Sequence, residues 1–345
     1  MKMGFLAWLA SPCCGEAVRF ASLSRMPDPK VDIEAGALAC GSCCCEYPII
    51  GGVPRLLPRE QNDKRVAATS RSFTWEWTRY PGSLAEDERV FLEECQLEAA
   101  DLKDKRVLDA GCGMGRYSLV ALALGAEVAA LDLSESWARL VPAAREQAGL
   151  HVVQGDLLKP PFRPGLFDLV YSHGVLHHTQ DTHQAFLAVA KLVKPEGLLS
   201  VWLYGKAGRF ADFATNPLRP DRAWVGRHRR LAWCVVGVRH LISDLLRVFT
   251  TRLPLALTYL LCFPLAMFGA LPLVKYLTFS VHPRFQVRLI ENFDWLTPPF
   301  QSHHTKEELA AWCEEAGLDL LKVLPHGLVP KPGVLARRRR AARRS

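Results

Sequence analysis

The residues with the most chemical promise lie between Val107 and Thr179. VLDAGCGMGRYS (Val107–Ser118) sets a strand ending in Asp109 ahead of Gly111, Gly113, Gly115 and a helix start. Such a turn lets backbone approach a ligand without Cβ interference and points helix amides at it. A glycine turn after a strand also serves dinucleotides, so the residues that follow must discriminate. Asp132 closes the next strand, where a carboxylate accepts both hydroxyls of a ribose. Gly155-Asp156-Leu157 closes the third, where Asp156 meets an adenine amine. The segment FDLVYSHGVLHHT (Phe167–Thr179) then places His173, His177 and His178 after a fourth strand.

Positioning these groups requires strands and helices in alternation. Arg106–Asp109, Val128–Asp132, Val152–Gln154, Phe167–Tyr171 and Leu198–Leu203 read as strands, and Tyr117–Leu124, Ser134–Gln147 and Thr182–Leu192 as helices. This predicts an α/β fold with a doubly wound parallel sheet. Ligands in such sheets lie at the carboxyl ends of the strands.

Taken together, these segments resemble class I S-adenosylmethionine-dependent methyltransferases, in the group that includes ubiquinone and menaquinone C-methyltransferases. The resemblance covers roughly 104–204 and 305–324. It implies a Rossmann-like seven-stranded sheet and S-adenosyl-L-methionine as cofactor, held by Asp109, Gly111, Gly113, Gly115, Asp132, Asp156, Leu157 and His173. It also implies that Asp109 orders the glycine turn near the methionine amino group. A nicotinamide dehydrogenase needs GxGxxG, which Gly111-Cys112-Gly113-Met114-Gly115 does not supply. The fourth strand lacks the Asn or Asp followed by two prolines that nucleobase N-methyltransferases commonly carry.

Methyl transfer from a sulfonium is an in-line displacement, so the protein mainly aligns the nucleophile and excludes water. A base is needed where the acceptor arrives protonated. His173 and His304 are the candidates, with His177, His178 and His303 beside them; a purely structural role in the turn and the helix start is the competing reading for the paired histidines.

The start of the chain has different chemistry. Cys14, Cys40 and Cys43, with Tyr47-Pro48-Ile49 and Gly52-Val53-Pro54, resemble the zinc ribbon of a tRNA-methyltransferase activator. In that family two CxxC pairs form the metal site, but Ser11 stands where the first Cys belongs. Cys13, Cys44 or Cys45 is the available substitute. Structural zinc and a degenerate, metal-free ribbon therefore both stand.

The 345 residues, 49% of them hydrophobic, fill a sizeable core, and the 11 cysteines suit free thiols or metal in a reducing, cytoplasmic compartment. The opening MKMGFLAWLA is too short for a signal peptide and reads as a strand. Boundaries follow as a ribbon over 1–58, a connector over 59–104, a catalytic domain over 105–204 and 301–335, an apolar helical insert over 205–300, and a basic tail over 336–345.

Much of the net charge of +8 sits in that tail and in Arg222–Arg230. Within the insert, Leu253–Val274 carries no charge, and Leu231–Thr250 sets Arg239, Ser243 and Arg247 at helical spacing in an otherwise apolar run. A single membrane crossing is excluded because the chain must return to the same sheet, so for a membrane only a hairpin or a surface-lying segment survives. Two readings remain, an apolar lid packed on the domain and peripheral contact with a membrane. Both predict a hydrophobic small-molecule or lipid-like acceptor methylated on oxygen or carbon, and neither favours nucleic acid. The alternatives are an RNA or protein methyltransferase that grips with ribbon and tail, and a cofactor-binding protein without catalysis. Thr305 and Glu308 predict a capping box for a helix over Thr305–Ala316, with a strand over Asp319–Val323 after it.

Overall fold

The computed structural model describes residues 1–21, 32–59, 63–206, 229–271, 274, 278–280, 282–324 and 332–340; over 229–233, 235 and 236 it describes backbone alone. Four short antiparallel strands come first: β1 (Val18–Phe20), β2 (Ala35–Cys40), β3 (Glu46–Ile50) and β4 (Val53–Leu56). Helices α1 (Lys64–Arg79) and α2 (Asp87–Cys95) follow, over the span expected to be a connector. The alternating region runs β5 (Arg106–Ala110), α3 (Arg116–Ala123), β6 (Glu127–Asp132), α4 (Val141–Glu146), β7 (Leu150–Gly155), β8 (Phe167–His173), α5 (Thr182–Ala190) and β9 (Val193–Trp202). Then come α6 (Arg229–Thr250), α7 (Leu255–Phe268), α8 (Phe285–Leu296), α9 (Lys306–Glu315), β10 (Leu318–Val323) and β11 (Gly333–Arg338).

The fold is a Rossmann-like α/β sheet. Its strand order is β1-β2-β3-β4-β7-β6-β5-β8-β9-β11-β10, with β7 through β9 parallel and β11 antiparallel to both its neighbours. Central strands covered on both faces need uninterrupted apolar runs, which β6 and β7 provide with Val128–Leu131 and Val152–Val153 fully buried or nearly so. The seven strands from β7 to β10 are the sheet that the resemblance implies. The ribbon strands extend it, because β4 pairs in parallel with β7 at Arg55–Gln154 and Leu56–Gly155.

Three expectations need correction. MKMGFLAWLA is not a strand: Met3–Trp8 is a 3-10 helix. Phe5 and Trp8, three apart, share a face and pack on His151, with Phe5 stacked at 4.5 Å. The region Ser134–Gln147 is a 3-10 turn, Glu135–Leu140, followed by the short α4. The basic tail begins later than expected, because β11 takes in Arg337 and Arg338; the Arg338 guanidinium donates to the carbonyls of Lys191 and Val193 at 2.6 Å. Residues 222–228 and 341–345 of the two basic stretches lie outside the described residues.

The insert inverts the usual amphipathic arrangement. On α6 the polar line Arg239, Ser243 and Thr250 is buried. Arg247, half-buried, donates to the carbonyls of Pro298 at 2.8 Å and Trp295 at 3.2 Å. Outward lie Leu241, Leu245 and Phe249, up to 69% exposed, and α7 adds Leu257, Leu260, Leu261, Met267 and Phe268 to the same apolar exterior. On its inner side the insert buries apolar residues: Cys262, Ala266, Leu289, Phe293 and Leu296 pack in one cluster with Tyr204. No described helix is long and apolar enough to cross a membrane.

Candidate active site

The turn after β5 is built on backbone that only glycine adopts without strain. Gly111 has φ +95°, and a Cβ there would sit 2.3 Å from the Val175 side chain; at Gly115, φ +87°, it would meet Leu140 at 2.2 Å. The N-terminus of α3 thus opens onto a cleft. Asp132, at the end of β6, holds the turn: one carboxylate oxygen accepts the Gly113 amide at 2.8 Å, and the other accepts the Ser134 amide at 2.8 Å and hydroxyl at 2.7 Å. Asp109, buried two residues before Gly111, accepts the Ser118 hydroxyl of α3 at 2.6 Å. Burial pushes the Asp109 carboxyl up to about 7, against the Ser118 hydrogen bond that pulls it down, and raises Asp132 also.

One cavity of about 850 Å³ joins these groups. Asp109, Gly111, Asp132, Asp156, Leu157, His173 and His178 all line it. That volume is at the upper end of the roughly 300–1,000 Å³ usual for ligand pockets, enough for a nucleoside cofactor and a second molecule. Asp156 Oδ1 accepts the Leu158 amide at 2.9 Å, which fixes the loop after β7. Gly113 packs instead beneath the Trp77 indole of α1.

The histidines separate by placement. His173 hydrogen-bonds through Nε2 to Ser200 Oγ at 2.9 Å, with Nδ1 3.5 Å from Glu94. His177 accepts the Tyr204 amide at 3.3 Å and stacks on the Tyr204 ring at 3.9 Å, away from the cavity lining. His304 is not in the lining either: Nδ1 pairs with Glu308 at 3.1 Å and Nε2 with Ser302 at 3.0 Å. Its expected catalytic role is not supported by this position, where both nitrogens anchor the start of α9. The Thr305–Glu308 capping box that starts that helix is present. His178 lines the cavity, with Nδ1 2.9 Å from the Phe300 carbonyl and Nε2 buried 3.8 Å from Asp294 Oδ1.

Of the other wall, the part that comes from α1 was not foreseen. α1 supplies Glu76, Trp77 and Tyr80, and α8 supplies Glu291, Asp294 and Trp295. The insert and the supposed connector therefore roof the same cavity. A run of aromatic residues in Phe73–Tyr80 was visible in the sequence, but without a strand-end motif nothing tied it to the site.

At the ribbon, Cys14, Cys40 and Cys43 present their sulfurs within 4.8 Å of one another. Ser11 Oγ occupies the fourth side, 3.3 Å from Cys43 Sγ and 2.7 Å from Tyr47 Oη. Hydrogen bonds from Ser11 and the Cys45 amide lower the Cys43 thiol to about 6. The donors fit three corners of a zinc tetrahedron, with a neutral hydroxyl at the fourth.

Strand order, glycine turn and strand-end carboxylates together define a class I S-adenosylmethionine-dependent methyltransferase domain. Residues 108–201 match the family described as "Methyltransferase domain". The chain is 39% identical over 95 residues to a malonyl-[acyl-carrier protein] O-methyltransferase of Enterobacter lignolyticus, covering 28% of this chain and 37% of that protein. It is 36% identical over 101 residues to a ubiquinone biosynthesis O-methyltransferase of Ralstonia nicotianae, covering 28% and 42%. An uncharacterised protein of Synechococcus is 32% identical over 143 residues, covering 40% and 32%. The chain thus spans about a third to a half of the curated relatives it matches. Among solved structures, a Burkholderia thailandensis 1,6-didemethyltoxoflavin N1-methyltransferase with S-adenosylhomocysteine aligns over 90% of this chain and 98% of its own, at 13% identity and TM-score 0.43.

Proposed function

We propose that the protein transfers a methyl group from S-adenosyl-L-methionine to oxygen or carbon of a hydrophobic small molecule or lipid-like acceptor, while seated on a membrane surface. The observation that carries this reading is a cavity lined both by the strand-end carboxylates and by residues of the insert, whose outer face is apolar. Asp109 faces the cofactor's ammonium group, Asp132 its ribose, and Asp156 with Leu157 its adenine; His173 lies alongside. The cofactor supplies the electrophilic methyl and the thioether leaving group. The chain's own task is to align the acceptor and keep water out, which α1 and α8 do by roofing the cavity.

Soluble monomers seldom expose large contiguous apolar patches. The face formed by Leu241, Leu245, Phe249, Leu260 and Met267 suits the acyl boundary of a bilayer, and the exposed Arg252 between α6 and α7 suits anionic headgroups. Malonyl-acyl-carrier and ubiquinone-pathway relatives support an acceptor that is not nucleic acid. The ribbon is read as a structural zinc site held by Cys14, Cys40 and Cys43.

The test is incubation with labelled S-adenosylmethionine and fractionated cell extract. Label in the lipid or organic-soluble fraction is expected; label confined to RNA or protein would overturn the acceptor assignment and restore the ribbon-and-tail grip as the better reading.

A further inference from the structure

The ribbon contains the same turn twice. In the first, the Gly15 amide donates to the Ser11 carbonyl at 2.8 Å, and the Ser11 amide to that of Glu16 at 2.8 Å. In the second, the Cys44 amide donates to the Cys40 carbonyl at 3.1 Å, and the Cys40 amide to that of Cys45 at 3.0 Å. Gly15 and Cys44 both have left-handed backbone, at φ +80° and +54°. The Glu16 amide hydrogen-bonds the Cys14 sulfur, as the Cys45 amide does that of Cys43. Ser11 is therefore the counterpart of Cys40, and Cys14 of Cys43. Exchanging one sulfur for oxygen leaves both turns of a metal-binding pair in place.

Burial and a count of hydrogens decide what stands at the fourth corner. Ser11 is 1% exposed and Tyr47 2%, with Cys40 and Cys45 buried beside them, so bulk water does not reach this side, whereas Cys14 is exposed. The other cysteines do not supply a ligand there. Among the described residues, the sulfurs that gather within 4.8 Å of one another are those of Cys14, Cys40 and Cys43. Cys45 Sγ is turned to the Cys43 carbonyl at 3.7 Å, and Cys13 lies against Tyr47.

Tyr47 donates its hydroxyl hydrogen to the Cys13 sulfur, so in the 2.7 Å contact between Ser11 and Tyr47 the serine is the donor. Ser11 Oγ keeps two lone pairs. One accepts the Cys13 amide at 3.3 Å, and the oxygen lies 3.3 Å from Cys43 Sγ, beside the three sulfurs.

We propose that Ser11 Oγ is the fourth ligand of a zinc ion held by Cys14, Cys40 and Cys43, and that Tyr47 is the positioning residue that turns this oxygen onto the metal. On binding, the three thiols lose their protons to solvent, while Ser11 keeps its own in the hydrogen bond to Tyr47. A neutral oxygen is a weaker donor to zinc than a thiolate, so the ion exchanges more readily than from four thiolates.

This inference rests on the reading of the ribbon as a zinc site, so the test separates the two. Reduced, metal-free, full-length protein is titrated with cobalt(II), whose sulfur-to-metal absorption counts thiolates and whose d–d bands report the remaining ligand. The unaltered protein is expected to show about three-quarters of the sulfur-to-metal intensity of Ser11→Cys, three thiolates against four. Ser11→Ala is expected to keep the intensity of the unaltered protein but to bind cobalt at least about tenfold more weakly, with altered d–d bands. Tyr47→Phe is expected to shift the d–d bands at unchanged sulfur-to-metal intensity, which a purely structural role would not do. Equal intensity in the unaltered protein and Ser11→Cys, or unchanged affinity and d–d bands in Ser11→Ala, would overturn the assignment of Ser11 alone. No cobalt bound by either the unaltered protein or Ser11→Cys would overturn the metal reading of the ribbon and this assignment with it.

Discussion

Asp132 Oδ2 accepts the amide hydrogen of Gly113 at 2.8 Å, so the carboxylate at the end of β6 also fixes the curvature of the turn after β5. Asp132→Ala removes both this bond and the pair from Ser134. The expected outcome is loss of S-adenosylhomocysteine affinity by at least about a hundredfold, or 2.7 kcal/mol or so, read by calorimetry. Near-normal binding would refute the assignment of the ribose site.

The turn itself predicts a stability effect. Gly111→Ala sets a Cβ into the Val175 side chain on backbone at φ +95°. The strain and overpacking cost about 2–4 kcal/mol, seen as a lower denaturation midpoint. An alanine variant of full stability would mean that Val175 yields freely.

Asp109 links cofactor binding to pH. Its folded carboxyl titrates at about 7 because it is buried, against an ordinary value of 3.8. Between those values the folded chain holds a proton that the unfolded chain has lost. Stability of the empty protein therefore falls as pH rises from 3.8 toward about 7 and levels off above it. The ammonium of the cofactor favours the ionised form, so affinity climbs over the same interval. Melting curves from pH 5.5 to 8 should show the empty protein losing stability while the shift given by S-adenosylhomocysteine grows. A ligand shift independent of pH would separate Asp109 from the cofactor's charge.

For the outer face, Leu241→Ser, Leu245→Ser and Phe249→Ser combined should leave the melting temperature within a few degrees, because these side chains pack on nothing inward. Each loses about 1–2 kcal/mol of burial in lipid, so binding to vesicles of anionic phospholipid should fall by at least about thirtyfold. Unchanged vesicle partitioning would point away from the bilayer and toward a second protein surface.

At the ribbon, Ser11→Cys completes a four-thiolate set. The variant should retain zinc against a chelator that strips the unaltered protein, measured by metal analysis after dialysis. Zinc loss from both would favour the metal-free ribbon.

The parallel strands were legible because burial on both faces demands apolar runs, and β5 to β9 have them. The start of α9 was legible because Thr305 and Glu308 satisfy a helix terminus in a recurring way. Orientation was harder to read. The spacing of Arg239, Ser243 and Arg247 gives α6 its period, but periodicity does not say which side meets the domain, and the polar side does. Glu76 was passed over because 59–104 reads only as a connector, whereas here it lies on α1, buried against the cavity. His178 looked equivalent to His177 in sequence. Only the Phe300 carbonyl, more than a hundred residues onward, distinguishes the two rings.

The pairing of β4 with β7 has a mechanical consequence. Leu56 lies beside Gly155, the residue before Asp156, so the ribbon and the strand that carries Asp156 into the cavity share one hydrogen-bonded ladder. The ribbon is therefore no tethered arm free to swing toward a partner. It is a brace on the sheet edge, fixed beside the loop that carries Asp156.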